Sequence, residues 1–199
     1  MMNTTMPRIA RDSLLPLEAY AKQRNEFRAK VIAHKKHRTV HLGDHVTLIF
    51  EDELTIRYQI QEMLRIERTF EESGIQDELD VYNPLVPDGN NFKATMMIEY
   101  LDVAERARML GLLKGIEDRV WLQAEGCGRT YAIADEDLPR ENDEKTAAVH
   151  FLRFQLDEET RKSLKYGVAL SMGVDHPAYT VATDAADQAV RASLVGDLA

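Results

Sequence analysis

The chain has a single cysteine, Cys127, among its 199 residues. One thiol cannot close an internal disulfide, and that scarcity suits a reducing compartment. Nowhere do about 18 apolar residues run together, so no helix is expected to span a bilayer. No basic flank precedes an apolar stretch near the start, which argues against a secretory signal. Positive charge is also in short supply: 25 Lys and Arg face 34 Asp and Glu, a formal net charge of −9. Such a chain repels phosphate backbones, and the one basic run, Lys35-Lys36-His37-Arg38, is too short to reverse that. These absences point to a cytoplasmic protein without a nucleic-acid or membrane partner. Motifs with a known chemistry are missing too. There is no P-loop, dinucleotide fingerprint, lipase elbow, H-E-x-x-H, EF-hand loop or C-x-x-C, so no cofactor is expected and enzymatic activity is left open.

What is present is the balance of a folded protein, 44% hydrophobic and 30% charged. Residues 1–8 lack periodicity and read as a loose leader. No repeat or linker divides residues 9–199, which are expected to form a single α+β domain. A first helix is predicted over residues 14–36, with Leu17, Tyr20, Phe27 and Val31 on one stripe. Two short strands, 39–42 and 45–50, flank Gly43-Asp44 as a hairpin. A second long helix is expected over 52–73, stopped by Gly74, and a loop over 77–91. Then come a strand at 92–101, a helix from Asp102 to Gly115, and strands at 120–124 and 130–134. A charged loop (135–145), a strand (146–156), an Asp157-capped helix, a strand (168–172), a turn at Asp175-His176-Pro177 and a terminal helix (184–194) complete the chain. The fold class expected is one mixed or antiparallel sheet with helices packed against it. A doubly wound α/β arrangement is the alternative, from the β-α-β-α-β order of residues 45–125.

Two polar residues stand where apolar ones belong. On the predicted second helix Glu67 falls among Ile56, Ile60, Met63, Leu64 and Phe70, with Gln59 at the edge of that face. In the 146–156 strand, alternation groups His150 with Ala148, Leu152 and Phe154, and puts Arg153 on the other face. A carboxylate inside must find a donor, and His150 or Arg153 would serve. Glu67, Gln59, His150 and Arg153 are therefore a candidate polar pocket of a small enzyme or ligand sensor. A purely structural pair fixing helix-to-sheet register is the competing account. Arg57, Gln61, Arg65 and Arg68 share the opposite helix face, a candidate partner surface or simply a solvated one. His34, His37, His41 and His45 are spaced for metal ligation, but the change from helix to strand at residue 39 separates them. Cys127 between two glycines reads as a turn, and Asp135-Glu136-Asp137 as a solvated loop. Oligomerisation with copies of itself is left open.

Several segments taken together resemble a bacterial family filed as a domain of unknown function. They are DSLLPLEAYAKQRNEF from Asp12, RYQIQEMLR from Arg57, Tyr82-Asn83-Pro84, GIEDRVWL from Gly115, KTAAVHFLRF from Lys145 and GVDHPAY from Gly173. The resemblance spans nearly the whole chain. Genes of that family often lie beside those of rubrerythrin-type proteins and an iron–sulfur oxidoreductase resembling heterodisulfide reductase subunits. The resemblance thus implies an accessory or binding protein that acts with a redox partner in peroxide defence.

Overall fold

The computed structural model describes residues 9–142 and 144–199; the leader expected at 1–8 lies outside them. Helix α1 (Leu17–Lys35) leads into the hairpin β1 (Thr39–Leu42) and β2 (Val46–Glu51), where Gly43 takes the left-handed φ of 68° that the turn requires. Helix α2 (Glu53–Glu67) begins in a capping box: Asp52 accepts the Thr55 N–H while the Thr55 hydroxyl accepts the Asp52 N–H.

The second long helix of the sequence reading is two helices. Arg68 adopts φ 56° and ψ 38°, and α3 (Glu72–Tyr82) starts four residues later. Arg68 therefore takes the left-handed closing position that Gly74 was expected to fill, and Gly74 lies inside α3. The 77–91 loop is correspondingly shorter, following a single 3-10 turn at Asn83–Leu85.

Strand β3 (Asn91–Ile98), helix α4 (Val103–Leu112), β4 (Val120–Ala124), β5 (Thr130–Tyr131), β6 (Ile133–Ala134) and β7 (Val149–Gln155) follow. Asp102 caps α4 through the Glu105 N–H at 2.7 Å, as its position predicted. Helix α5 (Glu158–Tyr166), the hairpin β8 (Leu170–His176) and β9 (Tyr179–Ala182), and α6 (Gln188–Val195) end the chain. The expected turn at Asp175-His176-Pro177 falls two residues late, because β8 runs through His176.

The fold is α+β, as expected, with every strand pair antiparallel; the doubly wound alternative does not occur. The strands divide between two sheets, β1-β2-β3-β7-β6 and β5-β4-β8-β9. The expected 130–134 strand is what divides: Thr130–Tyr131 pairs with β4, and Ile133–Ala134 pairs with β7.

Alternation places Leu48, Phe50, Phe92, Met96, Leu152 and Phe154 on the inner face of the five-stranded sheet, in one core with residues of the second sheet such as Leu122 and Met172. A smaller core joins Ile56, Ile60 and Leu64 of α2 to Ile75 and Leu79 of α3 and to Ile9 and Leu14. The helical layer thereby stands over the outer face of the five-stranded sheet without filling the space beneath it. Among the described residues no helix is long and apolar enough to cross a membrane.

Candidate ligand-binding cleft

Strand β7 carries the two polar residues singled out from sequence, and the pleat sends them to opposite sides. His150 lies on the inner face, fully buried. Its Nδ1 lies 2.6 Å from Asp135 Oδ2, and its Nε2 lies 3.0 Å from both the Ala147 carbonyl and the Thr146 hydroxyl. Both ring nitrogens are thus engaged by partners within the chain. Asp135 also accepts the Phe151 N–H at 3.0 Å and touches Arg140 at 3.3 Å, with its own backbone in the left-handed region at φ 49°. Glu117 stands 3.9 Å away on the far side of the Thr146 hydroxyl.

Glu117, Asp135 and His150 are the one group of three or more possible metal ligands that converges among the described residues. His150 is bonded to Asp135 and Glu117 accepts the Thr146 hydroxyl between them, and the imidazole has no exposed surface. This is the chemistry of a clamp that holds the start of the 135–145 loop against β7.

The outer face is different. Here Glu51 of β2, Lys93 of β3 and Arg153 of β7 occupy matched register positions, above a second row of Ile49, Thr95 and Phe151. Between that face and the helical layer lies a cleft of about 260 Å³, walled by Lys35 at the end of α1, by Thr55, Ile56 and Gln59 of α2, and by Tyr82 at the end of α3 and Leu85 beyond it. A smaller cavity of about 70 Å³ adjoins it, sharing Leu85 and Phe151, and opens onto Lys93 and Arg153.

Glu51 is the unusual group. It is buried, and its carboxylate accepts the Thr55 hydroxyl at 2.5 Å and the Thr95 hydroxyl at 2.7 Å. Among the described residues no Lys, Arg or His nitrogen comes within 4.0 Å of that carboxylate, although Lys35 lines the same cleft. The start of α2 beside it supplies partial positive charge, but two hydroxyls and a helix end are sparse support for a buried carboxylate. Lys93 is half-buried, with no hydrogen bond or ion pair of its own; burial pulls its pKa below the usual lysine value against the attraction of Glu136 and Asp88. Arg153, by contrast, is fully engaged. It forks onto Glu136 at 2.7 Å through both Nε and Nη2 and gives Nη1 to Gln155.

The remaining expected site residues fall as follows. Glu67 is exposed at the last turn of α2 and meets neither His150 nor Arg153, so the pocket expected from those three is not assembled. The physical reason is the break at Arg68: the apolar face was projected through Phe70, which lies beyond the helix and is 75% exposed. Gln59 does line the cleft. Gln61, expected on the open partner face, is instead buried, accepting the Leu15 N–H at 2.7 Å and donating to the Leu15 carbonyl at 3.2 Å. Arg57 pairs with Glu53 and Arg65 with Glu62, leaving Arg68 as the exposed member of that set.

The histidines do not converge. His34 bonds Asp52 at 2.5 Å, His41 contacts Thr47, His45 stacks on Tyr100 at 4.0 Å, and His37 is exposed. Cys127 sits in a turn, with Sγ 3.5 Å from the Ser163 hydroxyl. Asp137 pairs with Arg140, so the acidic run is a set of ion pairs. Sequence reasoning missed Glu51, Thr95 and Lys93. The signal was present in the outward alternation Thr47-Ile49-Glu51 and Lys93-Thr95-Met97, which reads as a solvated face unless something covers it.

Fold and cleft together define an α+β protein with a polar-ended apolar cavity on the outer face of its larger sheet. The chain belongs to the family described as protein of unknown function, DUF3501, which matches residues 8–198. It is similar to a solved structure titled as a novel protein of unknown function from Burkholderia pseudomallei K96243. The two are 56% identical, cover 97% of this chain and 100% of that one, and superpose with a TM-score of 0.93. No curated protein matches the chain.

Proposed function

We propose that this protein is a cytoplasmic binding protein that holds a small organic molecule in the cleft between α2 and the outer face of β2, β3 and β7. The observation that supports it is Glu51: a buried carboxylate facing a cavity that Lys35 also lines, held by hydroxyl donors and in no ion pair. A mostly apolar concavity with a few convergent polar groups is the usual form of a small-molecule site. This carries forward the pocket idea from the sequence with different residues, keeping Gln59 and replacing Glu67 and His150 by Glu51 and Thr95. The accessory role beside a redox partner rests on the family resemblance alone, and pull-down from native lysate tests it separately.

The cleft reading is tested by thermal-shift screening of the intact chain against a metabolite panel, repeated with Val149→Trp. Val149 is 42% exposed at the cleft wall, so a larger ring there fills space without disturbing the core. Stabilising compounds should lose their effect in the variant. Compounds that stabilise both proteins equally, or a panel without any stabilising compound, would count against the reading.

A further inference from the structure

We infer that the ligand of this cleft is an uncharged aromatic alcohol or phenol, an inference that rests on the binding reading above and specifies its chemistry. Among the residues lining the cleft, Lys35 and Glu51 carry full charges, and these are opposite in sign. No contact within 4.0 Å joins them, yet both face the same space. That space therefore has no net formal charge to draw in an ion. A cationic head group would be repelled by Lys35 and an anionic one by Glu51, and such repulsion is strong where water is scarce. A neutral head group meets neither.

Hydrogen bonding then defines that head group. An ionised carboxylate accepts about four hydrogen bonds, and Glu51 receives two within the chain, from the Thr55 and Thr95 hydroxyls. A hydroxyl has a single hydrogen, so both threonines have already committed theirs. Thr55 also takes the Asp52 N–H on its oxygen. Thr95 differs: among the described residues nothing donates to its oxygen. Glu51 and Thr95 together thus make an end of the cleft that can only accept, and the head group must donate to it. Lys35 and Gln59 line the same space and can donate in return. A hydroxyl is the smallest neutral group that both gives and takes a hydrogen bond; an ether cannot give one and an ammonium cannot take one. The body of the ligand follows from the walls. Phe151 presents a ring from the sheet and Tyr82 one from the helical layer, with Ile49, Met97 and Val149 beside them, a lining suited to offset or edge contact with a third ring. An apolar cavity of about 150 Å³ holds benzene, so this cleft of about 260 Å³ has room for a ring with a short substituent.

The test is a two-dimensional NMR titration of the full chain with one ring in four forms: 2-phenylethanol, its methyl ether, phenethylamine and phenylacetate. The alcohol should bind, with its largest amide shifts around Thr95 and Phe151. The ether should bind about tenfold more weakly or worse, because a hydrogen bond to a charged group is lost, and the amine and the acid should also bind more weakly than the alcohol. Glu51→Gln puts a group that donates where one only accepted, so it should weaken the alcohol and remove most of its lead over the ether. Circular dichroism checks that this variant folds; if it does not, the order of the four compounds on the unaltered chain decides alone. An ether equal to the alcohol overturns the donor requirement, and an amine or acid tighter than the alcohol overturns the neutral one. If none of the four binds at millimolar concentration, the inference is overturned, and the Val149→Trp screen decides separately whether the cleft binds anything.

Discussion

Arg38 should be the most costly single side chain to remove, and its structure allows the cost to be worked out. It is 1% exposed, at the junction of α1 and β1. Its Nε donates to the Phe50 carbonyl at 2.8 Å, Nη2 to the Glu51 carbonyl at 3.1 Å, and Nη1 to the Ser193 carbonyl and hydroxyl at 3.3 and 3.2 Å. The same fork ion-pairs with Asp197 beyond α6 and approaches Asp52, the α2 cap, at 3.5 Å. One guanidinium thus ties the ends of β2 and α2 to the C-terminal helix. Removing one partner of a buried pair typically costs about 3–5 kcal/mol. Arg38→Met keeps most of the apolar stem, so we expect about 3–4 kcal/mol. For a chain of this size that is a fall in Tm of roughly 6–16 °C.

The pH dependence sharpens the test. Burial pushes the Asp197 carboxyl up to about 6, against the pull of Arg38. A carboxyl raised above its unfolded value of about 3.9 favours folding most when protonated. Its contribution is therefore full below that value and is lost as pH rises through about 6. Without Arg38 the charged form is harder still to bury. The loss in Arg38→Met should then be smaller at pH 5 than at pH 7.5, and Asp197→Asn should recover part of it at the higher pH. Burial also opposes the Asp52 charge, yet Arg38, the Thr55 N–H and His34 together hold its carboxyl below the usual range, so its titration falls outside that window. Urea unfolding at the two pH values measures both effects. A loss under about 1 kcal/mol, below even a weak buried pair, or the same loss at both pH values, would refute the reasoning.

Three further outcomes follow from the packing. His150→Leu should cost about 3 kcal/mol by leaving Asp135 without its buried partner; hydrogen exchange should show the 135–145 segment loosening first, and a uniform loss of protection would count against the clamp. Glu62 joins Tyr20, Arg24 and Arg65, and chiefly the Arg24 hydrogen bond lowers its carboxyl to about 2. A lowered carboxyl stabilises above its unfolded value and loses that contribution as pH falls through the folded one, so Glu62→Gln should flatten the acid limb of a Tm-versus-pH curve between pH 4 and about 2. Gly173→Ala in β8 should destabilise by about 1–3 kcal/mol, since a Cβ there would collide with the Val181 backbone carbonyl of β9 and lie 2.5 Å from the Trp121 ring. A calorimetric Tm equal to that of the parent would show that both β9 and the indole can shift at no cost.

Much of the fold was legible because strand and helix periods differ and the punctuation is local. The Asp102 and Asp157 caps, the Gly43 hairpin and the Gly167 stop each depend on a few neighbouring residues, and each is found where its chemistry put it. The β7 alternation was also correct, down to which face buries His150. What misled was a helix that continued in pattern but not in space. Residues 66–70 keep helical spacing, yet Arg68 closes α2, and Ile66 and Phe70 end up 62% and 75% exposed. A left-handed arginine has no sequence signature comparable to glycine, so the break, and with it the position of Glu67, could not be read.

The candidate site was hidden for a different reason. Periodicity tells which residues share a face, but it does not say what lies over that face. Glu51, Lys93 and Arg153 alternate like any solvated edge, and only the placement of α2 and Leu85 converts that face into a cleft. Once it is covered, the same three charges are no longer equivalent: Arg153 forks onto Glu136, Lys93 is half-buried near Glu136 and Asp88, and Glu51 is held by hydroxyls alone. Strand β7 shows both uses of polarity within adjacent residues. Its inner side pairs His150 with Asp135 and so has no capacity left for a ligand, whereas its outer side presents Phe151 to an open space that Glu51, Lys35 and Gln59 also line. Buried charge is retained at a cost, and a structural role accounts for it when the partner lies within the chain. By that criterion His150 and Arg38 are accounted for, while Glu51 is the buried carboxylate that two hydroxyls hold and no ion pair neutralises.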